Sequence, residues 1–280
     1  MKLKNILIVY TPPTTKEQKS TLETVIKTLK RHNINFSLAN RDKLNKKQFQ
    51  NKDLVIVVGG DGTFLRAAQF VDKQLIFGVN ADIKNKEGFF MKSDKNDFEK
   101  KLKKITKNQF NVNKLPRLEA YINNKKIETF ALNEFFIGAR KSYHAAKYFI
   151  QIGGKPTKTY GFRGTKNAKR FLVKERQKSS GILITTPTGS YAWAKSCRNK
   201  TLPLNSKNYQ FVVREPYEGK VFKNYKLKYG ILNKNQKINI ISEMLDGILI
   251  ADSVSKEYKF KNGSTATIKL SDKYLNAVWL

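Results

Sequence analysis

The 280 residues are 40% hydrophobic and 11% aromatic, which suffices for two domains with cores of their own and excludes a disordered tail. Fifty-five Lys and Arg stand against 22 Asp and Glu, a formal net charge of +33, yet only 10 of the basic residues are Arg and the lysines run along the whole chain. That pattern argues against a specific nucleic-acid surface and for solvated faces whose field draws small anions; a lone Cys197 excludes an intrachain disulfide, and no window reaches the roughly 20 apolar residues of a membrane span.

In chain order, Ile6 to Tyr10 reads as a first strand. Thr14 and Glu17 are spaced as a capping box ahead of a helix whose Leu22, Val25, Ile26 and Leu29 share one face. Strands are expected at Ile34 to Leu38, Leu54 to Val58 and Leu75 to Val79, with a helix from Thr63 to Val71 between the last two. A further helix around Asp97 to Thr106 turns Phe98, Leu102 and Ile105 inward and its lysines to water. Strands separated by helices imply a parallel sheet with right-handed crossovers.

Near Leu115 and Pro116 the character changes to short alternating runs with hairpin signals at Asn123-Asn124, Asp246-Gly247 and Asn262-Gly263. The fold class read from these patterns is α/β plus all-β. An N-terminal Rossmann-like parallel α/β domain over 1–114 precedes a β-sandwich-like C-terminal domain over 115–270. The segment Gly153 to Lys178, rich in Lys, Arg, Gly and Thr, reads as a solvated loop or as a flap over anionic ligands.

Chemistry concentrates where the apolar run Leu54 to Val58 meets Gly59-Gly60-Asp61-Gly62-Thr63. Glycines at the carboxyl end of a buried strand let backbone N–H groups approach a phosphate, and the helix that follows turns its positive end to the same place. A carboxylate is a poor phosphate ligand but a reasonable general base or magnesium ligand beside one, so Asp61 points to chemistry on a phosphorylated molecule. The plainer reading is a tight turn in which Asp61 or Thr63 caps the helix.

Two further blocks, Asn133-Glu134 and Thr186-Pro187-Thr188-Gly189-Ser190, follow in an order that resembles the NAD kinase family, with Gly78 to Asp82, Glu87-Gly88 and Gln177 to Gly181 similar to its mitochondrial-type branch. The resemblance implies phosphoryl transfer to the 2′-hydroxyl of the adenosine ribose of NAD, with ATP or polyphosphate as donor and Mg2+ accompanying the donor. Asp61 would be the catalytic base, Gly60, Gly62 and Thr63 would hold phosphate oxygens, and Arg66 would add a guanidinium fork or remain a surface arginine. Asn133 and Glu134 would bond the ribose and adenosine. Thr186, Thr188, Gly189, Tyr191, Ala192 and Ser196 would receive the nucleotide, with Trp193 a core aromatic. Ser180 stands where many members carry Asp, replacing a charge-assisted hydrogen bond by a weaker one.

The resemblance also implies that residues 271–280 return to the first domain and that a homodimer or tetramer forms through the β domain, Tyr209 to Val213 being a candidate edge strand. No metal-ligating cluster, membrane partner or specific nucleic acid is expected, and the reduced thiol and absence of a presequence suggest the cytoplasm. Two rivals stay open. A lipid kinase of the diacylglycerol or sphingosine type shares the Gly-Gly-Asp-Gly-Thr loop, and a non-catalytic polyanion binder on the same fold would account for the charge.

Overall fold

The computed structural model describes residues 3–153, 173–197 and 199–280, so most of the Gly153 to Lys178 expectation lies outside the described residues. The chain forms two compact units, Met1–Leu115 with Leu275–Leu280, and Pro116–Tyr274.

In the first unit β1 (Ile6–Tyr10), α1 (Lys16–Arg31), β2 (Phe36–Asn40), β3 (Leu54–Gly59), α2 (Asp61–Ala68), β4 (Leu75–Asn80), β5 (Met91–Ser93), α3 (Phe98–Thr106) and β6 (Asn111–Leu115) alternate. The second unit runs through β7 (Leu118–Ile122), β8 (Lys125–Ala131), β9 (Glu134–Ala139), β10 (Ala146–Gly153), β11 (Val173–Ser179), β12 (Ile182–Thr185), the single turn α4 (Trp193–Ser196), β13 (Asn208–Val213), β14 (Tyr229–Asn233), β15 (Lys237–Ser242), β16 (Gly247–Ala251), β17 (Tyr258–Lys259) and β18 (Thr265–Leu270). The last strand, β19 (Leu275–Trp279), rejoins the first sheet between β4 and β6.

The first sheet has the order β2-β1-β3-β4-β19-β6, with β5 beside β4. Pairing from β2 to β4 is parallel throughout, and the residues of β3 are buried on both faces, as an apolar β-branched run requires. Val25 and Leu29 of α1 and Phe98, Leu102 and Ile105 of α3 join Ile6, Ile8, Leu54, Ile56 and Phe77 in one core. The α1 cap falls one residue later than the sequence suggests. Thr15 accepts from Gln18 N, while Gln18 Oε1 accepts from Thr14 N, so Gln18 takes the place assigned to Glu17.

The second unit has two antiparallel six-stranded sheets, β11-β10-β15-β18-β7-β8 and β14-β13-β12-β9-β16-β17. Leu118, Ile150, Ile240 and Ile268 of one meet Phe135, Ile137, Ile184 and Phe211 of the other in a shared cluster, a sandwich core. Asn123-Asn124, both at positive φ, make the expected hairpin between β7 and β8. The other two turn signals are not hairpins. Asp246-Gly247 carries the chain from β15 to β16 and Asn262-Gly263 from β17 to β18, in each case from one sheet to the other. A turn dipeptide records a change of direction, not which strand lies next to it. Tyr209 to Val213 is likewise no edge, because β13 is paired on both sides.

Candidate active-site residues

The order of the first sheet reverses direction at β1 and β3, and in open α/β sheets ligands bind outside the carboxyl ends of the strands at such a switch point. Thr11 follows β1, Arg41 follows β2, and Gly60 to Thr63 follow β3 at this end. Gly60 is the extended N-cap of α2 and supplies no side-chain cap. Asp61 does not cap the helix either. Its half-buried carboxylate reaches across to accept from Phe89 N at 3.0 Å and Phe90 N at 2.8 Å.

Those amides are presented by a braced loop. Asn80, at the end of β4, accepts from Asp82 N and donates to Lys86 O, and Gly88 sits at φ +70° where a Cβ would meet Asn80 Nδ2 at 2.6 Å. The Phe90 ring stacks on Phe64 of α2 at 4.8 Å. Just beyond, the Lys92 ammonium lies over Phe89 at 5.4 Å and Trp279 at 4.5 Å. Burial holds its pKa below the usual lysine value, and the Asp61 charge opposes that shift.

The remaining expected residues of this cluster divide. Gly62 is exposed, and a Cβ there would meet no atom within 4 Å. Arg66 is half-buried on α2. The Thr63 hydroxyl, expected on a phosphate, is buried instead, 2.5 Å from Thr11 Oγ1 and accepting from Arg41 Nη1 at 3.3 Å. It fastens three strand ends together.

In the second unit, Asn133 and Glu134 form the step from β8 into β9, and Thr186 to Ser190 form the turn that leaves β12, the neighbour of β9. The two segments are tied closely. Thr186 N and Thr185 Oγ1 donate to Asn133 O at 2.9 and 3.1 Å, and the Thr186 and Thr188 hydroxyls each lie 2.6 Å from Leu132 O. Both hydroxyls donate to backbone and both side chains are buried, because a carbonyl leaving a sheet edge must find donors. Gly189 packs on the Asn133 carbonyl. Tyr191 is exposed, Ala192 half-buried and Ser196 exposed beside it on the short helical turn. Trp193 stacks on Phe136 at 5.3 Å, the core role expected of it. Ser180 lines a separate open groove of about 560 Å³ with Tyr143, His144 and Tyr217.

Asn133 and Glu134 are buried, and among the described residues Asn133 Oδ1 and Glu134 Oε2 have no hydrogen-bond partner. Burial, reinforced by the Asp252 charge, pushes the Glu134 carboxyl up to about 8. The folded unit then keeps a proton that the unfolded chain releases near 4.5, so this contribution to stability is complete below that pH and is lost as pH rises toward 8. Urea midpoints across this range should fall with pH in the wild type, and the fall should be smaller in Glu134→Gln. Parallel profiles for the two proteins would show that Glu134 is ionised in the fold throughout.

Five contributors gave no local sequence signal: Thr11 and Arg41, the amides of Phe89 and Phe90, and Asp252. Each comes from a strand end remote in sequence from the motif it supports, and only the sheet order collects them.

Residues 3–110 match the family model described as the ATP-NAD kinase N-terminal domain. The chain is 23% identical to a probable NADH kinase of Oryza sativa subsp. japonica, over 93% of this chain and 81% of that relative. It is 25% identical to an NAD kinase of Thermoplasma volcanium, over 79% of this chain and 71% of the relative. In fold it is similar to an NAD kinase from Archaeoglobus fulgidus solved in complex with ATP, with a TM-score of 0.73 and 23% identity, covering 98% of this chain and 92% of that one.

Proposed function

The chain belongs to the NAD kinase family, and on that premise we propose that it moves a phosphoryl group from ATP or polyphosphate to the 2′-hydroxyl of the adenosine ribose of NAD, giving NADP. The observation that carries the reading is the Asp61 carboxylate, fixed by two backbone amides at the switch point of the parallel sheet. A ribose hydroxyl is a weak nucleophile, and a positioned base that takes its proton contributes on the order of 10² to 10⁴ in rate. Two amides occupy part of the carboxylate's acceptor capacity and leave lone pairs for that proton.

The remaining roles divide between the two units. Gly60 and Gly62 present backbone to the donor phosphates, Arg66 neutralises charge, and Thr63 holds the loop in register with Thr11 and Arg41. Asn133 and Glu134 offer their unpartnered oxygens to the adenosine hydroxyls, with Tyr191, Ala192 and Ser196 beside the base. Magnesium would be carried mainly by the donor phosphates, and Asp61 could offer it a carboxylate oxygen. When bound it neutralises donor charge.

Among the described residues no helix is long and apolar enough to cross a membrane. A free Cys197 fits a reducing compartment such as the cytoplasm. Self-assembly through the β unit would use an edge, β8, β11, β14 or β17, in place of β13.

Gly62→Ala separates folding from ligand approach. With no protein atom near the new methyl group, stability should hold or rise by up to about 1 kcal/mol, while turnover falls because the methyl occupies the face offered to phosphate. Thermal unfolding and NADP formation measured on the same sample check both halves; full turnover would remove Gly62 from the phosphate site. The function itself is tested by incubating the protein with magnesium, labelled ATP and either NAD or a diacylglycerol. Label is expected in NADP. Label in lipid alone would establish the lipid kinase reading instead.

A further inference from the structure

Directly beneath Asn133 and Glu134 lies a buried carboxylate that none of the motifs includes. Asp252 follows β16, is 3% exposed, and accepts from Leu132 N at 2.9 Å, Asn133 N at 2.7 Å and Glu134 N at 3.1 Å. Its own N–H donates to Glu134 O at 2.9 Å, so one residue grips the whole step from β8 to β9 from below.

The backbone pays for this grip. Asp252 and the following Ser253 both sit at φ +54°, a left-handed conformation that side chains other than glycine adopt at a cost of about 1 to 3 kcal/mol each. Three backbone donors on one carboxylate exceed what a chain reversal after β16 needs. What they fix is the pair of side chains above them, whose Oδ1 and Oε2 atoms are buried without a partner among the described residues. Buried polar atoms left open in an otherwise well-bonded turn are what a polar ligand completes.

We propose that Asp252 is a positioning residue of the NAD site, which holds the Asn133-Glu134 step in place and keeps Glu134 neutral, so that Glu134 donates a hydrogen bond to an adenosine hydroxyl instead of accepting one. The inference rests on the NAD kinase reading and adds to it a residue and a protonation state. Asp252 is the charged group acting on Glu134; Thr185 to Ser190, which packs against the same step, and Ala251, which pairs with the next residue of β9, bring no ionisable side chain. The raised Glu134 carboxyl agrees with a neutral donor. Neutrality also avoids setting two bare carboxylates side by side in a buried site.

The test measures NADP formation against NAD concentration from about pH 6 to 9 in wild type, Asp252→Asn and Glu134→Gln. In Asp252→Asn the KM for NAD should rise on the order of tenfold or more at neutral pH while the KM for ATP holds. With the neighbouring charge gone, Glu134 ionises at lower pH, so NAD affinity should begin to fail at lower pH than in wild type. Glu134→Gln, neutral at every pH and still a donor, should show an NAD affinity that stays level from pH 6 to 9 while that of wild type falls. If Asp252→Asn does not fold, the Glu134→Gln profile decides alone. A Glu134→Gln enzyme whose NAD affinity falls with pH as that of wild type does, or an Asp252→Asn enzyme with the wild-type KM and pH profile, overturns the proposal. Failure of the wild-type chain to make NADP would overturn the kinase reading first, and the wild-type arm shows which has failed.

Discussion

Asp61→Asn should lower kcat for NADP formation about a hundredfold or more while NAD affinity changes little, because the proposed base is lost and the groups proposed to hold the adenosine lie on other strands. The amide keeps one acceptor oxygen for Phe89 N or Phe90 N but turns a donor toward the other, so the loop could loosen as well. Lys92 distinguishes the two effects. Asp61 opposes the burial that lowers the Lys92 pKa, so removing the charge should lower it further and speed acylation of that amine at neutral pH. A hundredfold loss of turnover with faster, still site-selective labelling of Lys92 identifies a missing base on an intact scaffold. Turnover within a few-fold of wild type would remove Asp61 from catalysis.

The second large effect is expected at Gly189. A Cβ there would lie 2.1 Å from Asn133 O, 2.3 Å from Thr185 Oγ1 and 2.5 Å from Asn133 C, and the Asn133 carbonyl is already fixed by Thr186 N and Thr185 Oγ1. Backbone pinned from both sides cannot yield by a few tenths of an ångström, so Gly189→Ala must part the two segments. Overpacking of this kind costs about 1 to 3 kcal/mol, and here it also displaces Asn133. The expected result is a lower melting temperature together with a raised KM for NAD. Gly62→Ala, in open space, should do neither. An unchanged KM for NAD in folded Gly189→Ala would show that the Thr-Pro-Thr-Gly-Ser turn does not position the pair proposed to bind NAD.

Much of the fold was legible because the signals were local. The β-branched run Leu54 to Val58 could only be a doubly covered strand, and the 3.6-residue spacing of Phe98, Leu102 and Ile105 fixed the inward face of α3. Strand partners were not legible, since pairing is decided by registers between distant segments. Asp246-Gly247 and Asn262-Gly263 have the composition of hairpin turns and yet change sheets, and β13 has the composition of an edge and lies inside.

The site shows the same division. Residue types in the three motifs identified the chemistry, but not which atoms remain available to a ligand. Thr63, Thr186 and Thr188 carry the hydroxyls expected to meet the nucleotide, and all three are consumed in binding one strand end to another. Asp252 was hidden for a related reason. It lacks the glycine neighbours that draw attention to Asp61, and the three amides it accepts belong to residues about 120 positions earlier.

The most direct test of the central claim is the position of the phosphate on the product. The chain should be incubated with NAD, magnesium and ATP or polyphosphate, and the dinucleotide product isolated and examined by phosphorus NMR with assignment to the ribose carbon. A single phosphomonoester on the 2′-oxygen of the adenosine ribose is expected, formed by the wild type and nearly absent with Asp61→Asn. A phosphate on any other hydroxyl, or no phosphorylated dinucleotide with either donor, would contradict it.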